Sequence, residues 1–255
     1  MKRKASDNNQ AGGVRGGAQP LPRVSVLKPE LFDVRDEKQL EAAFLSYEKL
    51  GFAVLTHGVE EKAIPAHLGR LYDYLGETSR GAINRHEPKT WTNANWPSSL
   101  GTGIQSLHGI GQSDFMWQGR VEPQVRRVYE HLYGTKDLMV SLDGTGAFRG
   151  AEHDFPPNFG WLHIDLHPER VGSLGVSVQM AVVLVGNDGP NEDPRTCGAL
   201  CVLPGGHLEV LERWRDGTLK FDKNGMYNKL GAEWYAPDPK TNKPRLMLLQ
   251  VPAGR

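Results

Sequence analysis

At 255 residues the chain is long enough for one large domain with a substantial core. Lys+Arg 30 balances Asp+Glu 30, so no net field draws nucleic acid or an anionic membrane surface. No apolar run approaches the roughly 20 residues of a membrane-spanning helix, and no signal-peptide core opens the chain, which predicts a soluble, cytoplasmic protein.

Residues 1–22 are polar and Gly-rich and are expected to form a disordered tail. Their "KRK" leaves a nuclear signal as the alternative to simple solvation. Residues 23–255 read as a single domain. "DEKQLEAAFLSYEKLGF" predicts a helix through Leu40, Phe44, Tyr47 and Leu50, with Asp36 as N-cap and Gly51 as stop. "FAVLTHGV" follows as strand and turn, and "AHLGRLYDYLGE" as a second helix. Residues 84–118 read as an irregular loop carrying Trp91, Trp96 and Trp117, a candidate lid or pocket wall. Lys89 and Trp91 would line its entrance. "EPQVRRVYEHLYG" predicts a third helix.

From residue 137 the pattern changes to short apolar or alternating runs punctuated by Gly and Pro. "DLMVSLDG", "GWLHIDLH", "GVSVQMAVVLVGN", "GALCVLPGG" and "PRLMLLQVPAG" are expected to be strands, with one short helix in "HLEVLERWRDG". Helices first and strands after predict an α+β sandwich or barrel buttressed by helices, not alternating βαβ units. On such a strand Cys197 and Cys201 would lie ~13 Å apart, too far for a disulfide, so two buried thiols are expected.

Within "GWLHIDLHPER", His163 and Asp165 are two apart, so on a strand both side chains leave the same face. A nitrogen donor beside a hard carboxylate suits Fe(II), Mn(II) or Zn(II). The bland alternative is a polar strand end, with Asp165 capping a turn and His163 hydrogen-bonded. His167 shares that parity but stands ~13 Å along the strand from His163, which favours a pocket-wall role. His207, in the following helix, is the residue the chain itself offers as a third ligand. Gln179 sits inside an apolar run, where a buried amide needs partners, in a pocket or structurally. Ser141 and Asp143 could face the same mouth, or Asp143-Gly144 could simply turn. Arg149 and Arg170 flank the motif and could attract an anion, and Trp161 reads as core.

The pair "HID" and, downstream, "CGALCVLPGGH" together resemble the phytanoyl-CoA dioxygenase-like branch of the Fe(II)/2-oxoglutarate oxygenases, over roughly residues 30–255. The resemblance implies a double-stranded β-helix, a cupin-like jelly roll flanked by N-terminal helices. It further implies iron held by two histidines and a carboxylate, with 2-oxoglutarate and dioxygen as co-substrates and a small organic molecule as substrate. His163 and Asp165 match the first two ligands. Gln179 matches a polar position that relatives carry near the co-substrate, and Ser141 is the other candidate to bind it. The family's histidine in the segment like "VLPGGH" opens a loop or helix, and its distal ligand and co-substrate arginine come later. Here no histidine follows His207 and the sequence reaches Arg255 before those positions, so the expectation is a family member incomplete at its C-terminus. Three readings stay open: an active oxygenase, a non-catalytic member of that fold, or a cupin-like zinc or manganese protein using His163, Asp165 and His207.

Overall fold

The computed structural model describes residues 23–97, 103–149, 162–165, 167–169, 178–189, 193–221 and 227–253. The expected disordered tail, Trp161 and Arg170 lie outside them.

Strand β1 (Val24–Leu27) is followed by β2 (Leu31–Asp33), helix α1 (Glu37–Leu50) and β3 (Val54–Thr56). Asp36 begins α1 as its spacing predicts, its carboxylate accepting the N–H groups of Lys38 and Gln39 at 2.9 and 3.1 Å. Gly51 ends it at φ +82°, the left-handed region that glycine enters without steric cost. β2 and β3 pair in parallel, Leu31 opposite Val54, with α1 as the crossover. This is a single βαβ unit rather than an alternating series of them. Parallel strands cannot be joined by a tight turn, and α1 is the connection that parallel pairing needs. Val34, Leu40 and Val128 close the core beneath it.

Helices α2 (Ile64–Thr78), α3 (Asp114–Val121) and α4 (Pro123–Tyr133) form the next layer. Leu75, Ile110 and Phe115 are buried among them, with Trp96 and Tyr74. Helix α3 begins inside the stretch expected to be irregular, and Ser113 caps it through the Met116 N–H. Trp91 and Trp96 are not a lid. They pack on each other, 6.2 Å between ring centres, and join the α2 core. Arg149, read as a surface residue that could attract an anion, is instead a buried clamp. Its guanidinium donates to the Trp91 carbonyl at 2.7 Å and to the Asn93 side chain, and lies 5.1 Å from the centre of the Trp96 ring. Lys89 is exposed and ion-paired to Glu87 at 3.8 Å.

The remaining strands are short: β4 (Ile104–Gln105), β5 (Thr145–Gly146), β6 (His163–Ile164), β7 (Cys201–Val202), β8 (Asn228–Lys229) and β9 (Leu246–Leu249), with helix α5 (Gly206–Arg215) after β7. β9 is central in a three-stranded sheet, parallel to β1 and antiparallel to β7. β4 pairs with β5 and β6 with β8, both antiparallel. Among the described residues the strands form four small sheets and no closed barrel.

Two expected strands are not formed among the described residues. Residues 137–144 carry no ladder: Ser141 bonds the Asp143 carboxylate, and Arg120 reaches the Asp143 carbonyl at 3.4 Å. Residues 178–187 are likewise unpaired as a strand, with Val185 68% exposed. Alternation describes one face, but a strand also needs a partner edge. The segment is fixed instead at its end by buried Asn187, whose amide donates to Leu249 O at 3.0 Å and accepts from Val251 N–H at 2.6 Å. Cys197 falls in a turn rather than on β7, so the strand spacing between the two cysteines does not apply. Neither cysteine is in a disulfide, and burial pushes the Cys201 thiol up to about 11.

Candidate functional site

β6 alternates as its sequence predicts. Leu162 and Ile164 pack on Val210, Leu230 and Trp234, while His163 and Asp165 meet on the other side. The strand is held in place by the Leu230 N–H to the Leu162 carbonyl at 2.8 Å and by the Leu162 N–H to the Tyr235 hydroxyl at 2.7 Å. His163 Nε2 stands 3.2 Å from Asp165 Oδ1. The two side chains are 25% and 43% exposed, so the pair is reachable from solvent. Gln179 Nε2 donates to the other carboxylate oxygen, Oδ2, at 2.7 Å. The His163 hydrogen bond is the main reason the Asp165 carboxyl is held below the usual carboxylate range; desolvation opposes it, and the Gln179 amide adds to the lowering. Tyr227, about half exposed, presents its ring edge-on to His163 with centroids 5.5 Å apart.

The structure thus brings together His163, Asp165 and Gln179. Gln179 is exposed rather than buried in an apolar strand, and no strand forms around it among the described residues. Ser141 is exposed and bonded to Asp143, the turn arrangement rather than a pocket one. His167 does not continue the face of His163. β6 stops at Ile164 and the chain is helical by Pro168, so His167 turns inward, edge-on to Trp214 and Phe221. Its Nδ1 accepts the Glu169 N–H at 3.2 Å.

His207 is occupied elsewhere. Its Nε2–H donates to the Glu48 carbonyl at 2.9 Å, while the neighbouring Gly205 N–H bonds the Leu50 carbonyl at 2.8 Å. The "PGGH" turn therefore satisfies two carbonyls that the end of α1 leaves open. Its Nδ1 lies over Gly51, where a Cβ would come within 2.6 Å of it. Gly51→Ala should accordingly cost about 2–3 kcal/mol in urea unfolding, combining a strained left-handed alanine with the clash. Removing the ring as well, in Gly51→Ala/His207→Ala, should recover part of that loss.

Among the described residues no group of three or more His, Cys, Asp or Glu side chains is arranged to hold a metal ion. His163 and Asp165 could offer an ion two ligand atoms. Bonds of about 2.1 Å meeting at a right angle put two ligand atoms about 3 Å apart, close to the spacing found here. A shallow hollow of about 440 Å³ lies elsewhere, along α2, lined by Tyr72, Glu77, Arg85 and His86. Arg85 there is tied to Asp73 and to the Gly69 carbonyl, and nothing in the hollow matches the chemistry of the pair. Sequence reasoning missed the ring of Tyr227, which only the pairing of β6 with β8 brings to His163, and the contact of Gln179 with Asp165.

Part of the chain is similar to "Ava biosynthesis cluster protein O" of Aspergillus versicolor, at 23% identity over 148 residues, 57% of this chain and 46% of that protein. The chain thus matches slightly less than half the length of this relative. No family model matches the sequence, and no solved structure matches it significantly. No helix among the described residues is long and apolar enough to cross a membrane.

Proposed function

We propose that the chain is an Fe(II)/2-oxoglutarate-dependent oxygenase of double-stranded β-helix fold that oxidises a small organic molecule of a biosynthetic pathway. The observation that carries the reading is the convergence of His163 Nε2 and Asp165 Oδ1 to 3.2 Å on one accessible face, the spacing of adjacent ligands on a divalent ion. The "HID" and "CGALCVLPGGH" segments and the similarity to a biosynthesis cluster protein support it. The donor set fits iron at two points: an imidazole nitrogen and a carboxylate held below its ordinary range, chiefly by the hydrogen bond to His163.

When bound, iron(II) with 2-oxoglutarate supplies the means to turn dioxygen on a C–H bond. The chain's own residues bind and orient. Asp165 contributes the negative charge, His163 the nitrogen donor, and Gln179 restrains the carboxylate. Tyr227 walls the His163 side and would limit water at that edge. Because His207 is committed to α1, a second reading has a specific observation in its favour: a protein of this fold that binds a metal weakly and turns nothing over.

Incubation with Fe(II), ascorbate, 2-oxoglutarate and air distinguishes the two. Succinate formation that needs iron and disappears in Asp165→Ala supports the oxygenase. Metal binding at this pair without succinate supports the second reading, and neither binding nor succinate overturns both.

A further inference from the structure

Gln179 lies fourteen residues beyond Asp165, yet its amide reaches the carboxylate oxygen that His163 does not. A free carboxylate has two equivalent oxygens and rotates about its terminal torsion, so it can grip an ion through one oxygen or both. Here Oδ1 faces His163 while Oδ2 accepts the Gln179 N–H at 2.7 Å, a charge-assisted bond. The amide must present its nitrogen, since its oxygen against a carboxylate would be repulsive.

The residues on either side of Gln179 are anchored to a different part of the molecule. The Val178 carbonyl accepts from the Tyr129 hydroxyl of α4 at 3.5 Å. Met180 packs against the core of Val34, Leu40 and Val128, between α1 and α4. Gln179 therefore projects from backbone held by the helical layer, and its grip on Asp165 ties that layer to the end of β6.

From this geometry we propose that Gln179 is a positioning residue: it holds Asp165 Oδ2 so that Oδ1 alone is offered to a divalent cation beside His163. This rests on the reading of His163 and Asp165 as metal ligands and assigns Gln179 to the carboxylate rather than to a co-substrate. Partners that orient a ligating carboxylate in this way typically change metal affinity 10–100-fold on removal, an order-of-magnitude guide for this site.

The test is titration of the full chain with Mn(II), read by loss of the free-ion EPR signal, together with the visible spectrum of the Co(II)-loaded protein. Gln179→Leu keeps the volume and removes the donor, Gln179→Ala removes both, and Asp165→Ala serves as the reference. The expected result is weakening of Mn(II) binding by about tenfold or more in both Gln179 variants. Their Co(II) bands should also shift as the freed carboxylate changes its mode of binding, with melting temperature unchanged because Gln179 is exposed. If Asp165→Ala binds Mn(II) as tightly as the unaltered chain, the ligand reading itself fails. If Asp165→Ala loses binding while both Gln179 variants keep wild-type affinity and spectrum, the ligand reading stands and the positioning role is overturned.

Discussion

Asp165→Ala is expected to weaken divalent-metal binding by roughly a hundredfold or more, with little change in thermal stability. On the proposed reading the carboxylate is the charged one of two ligands, and a lone imidazole holds Fe(II) or Mn(II) poorly. Its side chain is 43% exposed, so its removal opens no cavity in the core. The pH dependence has a definite sign. The carboxyl is held below its ordinary value, chiefly by the bond to His163, so the ionised form persists at pH values where a free aspartate begins to protonate. Whatever this ionised carboxylate adds to folding is present above the ordinary carboxylate range and is lost only as pH falls through the lowered value. Isothermal titration with Mn(II) at pH 7 checks the affinity. A change of less than threefold would remove Asp165 from the site.

Trp234→Ala should lower the unfolding free energy by about 3–5 kcal/mol, read from the urea midpoint at constant slope. The ring is fully buried, packed with Val210 and Leu230 under Leu162 and Ile164. Arg213 stacks its guanidinium 4.8 Å from the ring centre. These contacts support β6 from below, so the same substitution should loosen His163 and reduce metal affinity at a distance. Trp234→Phe should cost less. It keeps most of the apolar volume and removes an indole N–H that has no hydrogen-bond partner among the described residues. A midpoint for Trp234→Ala equivalent to less than 1 kcal/mol of loss would contradict the packing account.

Helix α1 was legible because its apolar residues recur at helical steps between a capping aspartate and a glycine stop. Helix α3 was not: Phe115, Met116 and Trp117 are consecutive rather than spaced, and Gly119 interrupts the run. The strands expected at 137–144 and 175–187 rest on short apolar or alternating runs between Gly and Pro, and such a pattern is silent on whether a neighbouring edge exists. At the site, the shared face of His163 and Asp165 follows from local parity and was readable. The fate of His207 was not, since it depends on Gly51 and Glu48, far away in sequence. The hold of Gln179 on Asp165 was hidden for the same reason. It arises from where α1 and α4 place a segment, which no local pattern encodes.

The pairing of Val24 with Leu246 also has a temporal side. At ribosomal speeds of about 5–20 residues per second, β1 waits on the order of ten seconds or longer for β9 to be made. During that wait "VSVL" and the β7 edge are open to promiscuous association, a task for holding chaperones. A transcript cut short before codon 246 would deprive β1 and β7 at once of the strand they share, and degradation would be the expected fate of its product.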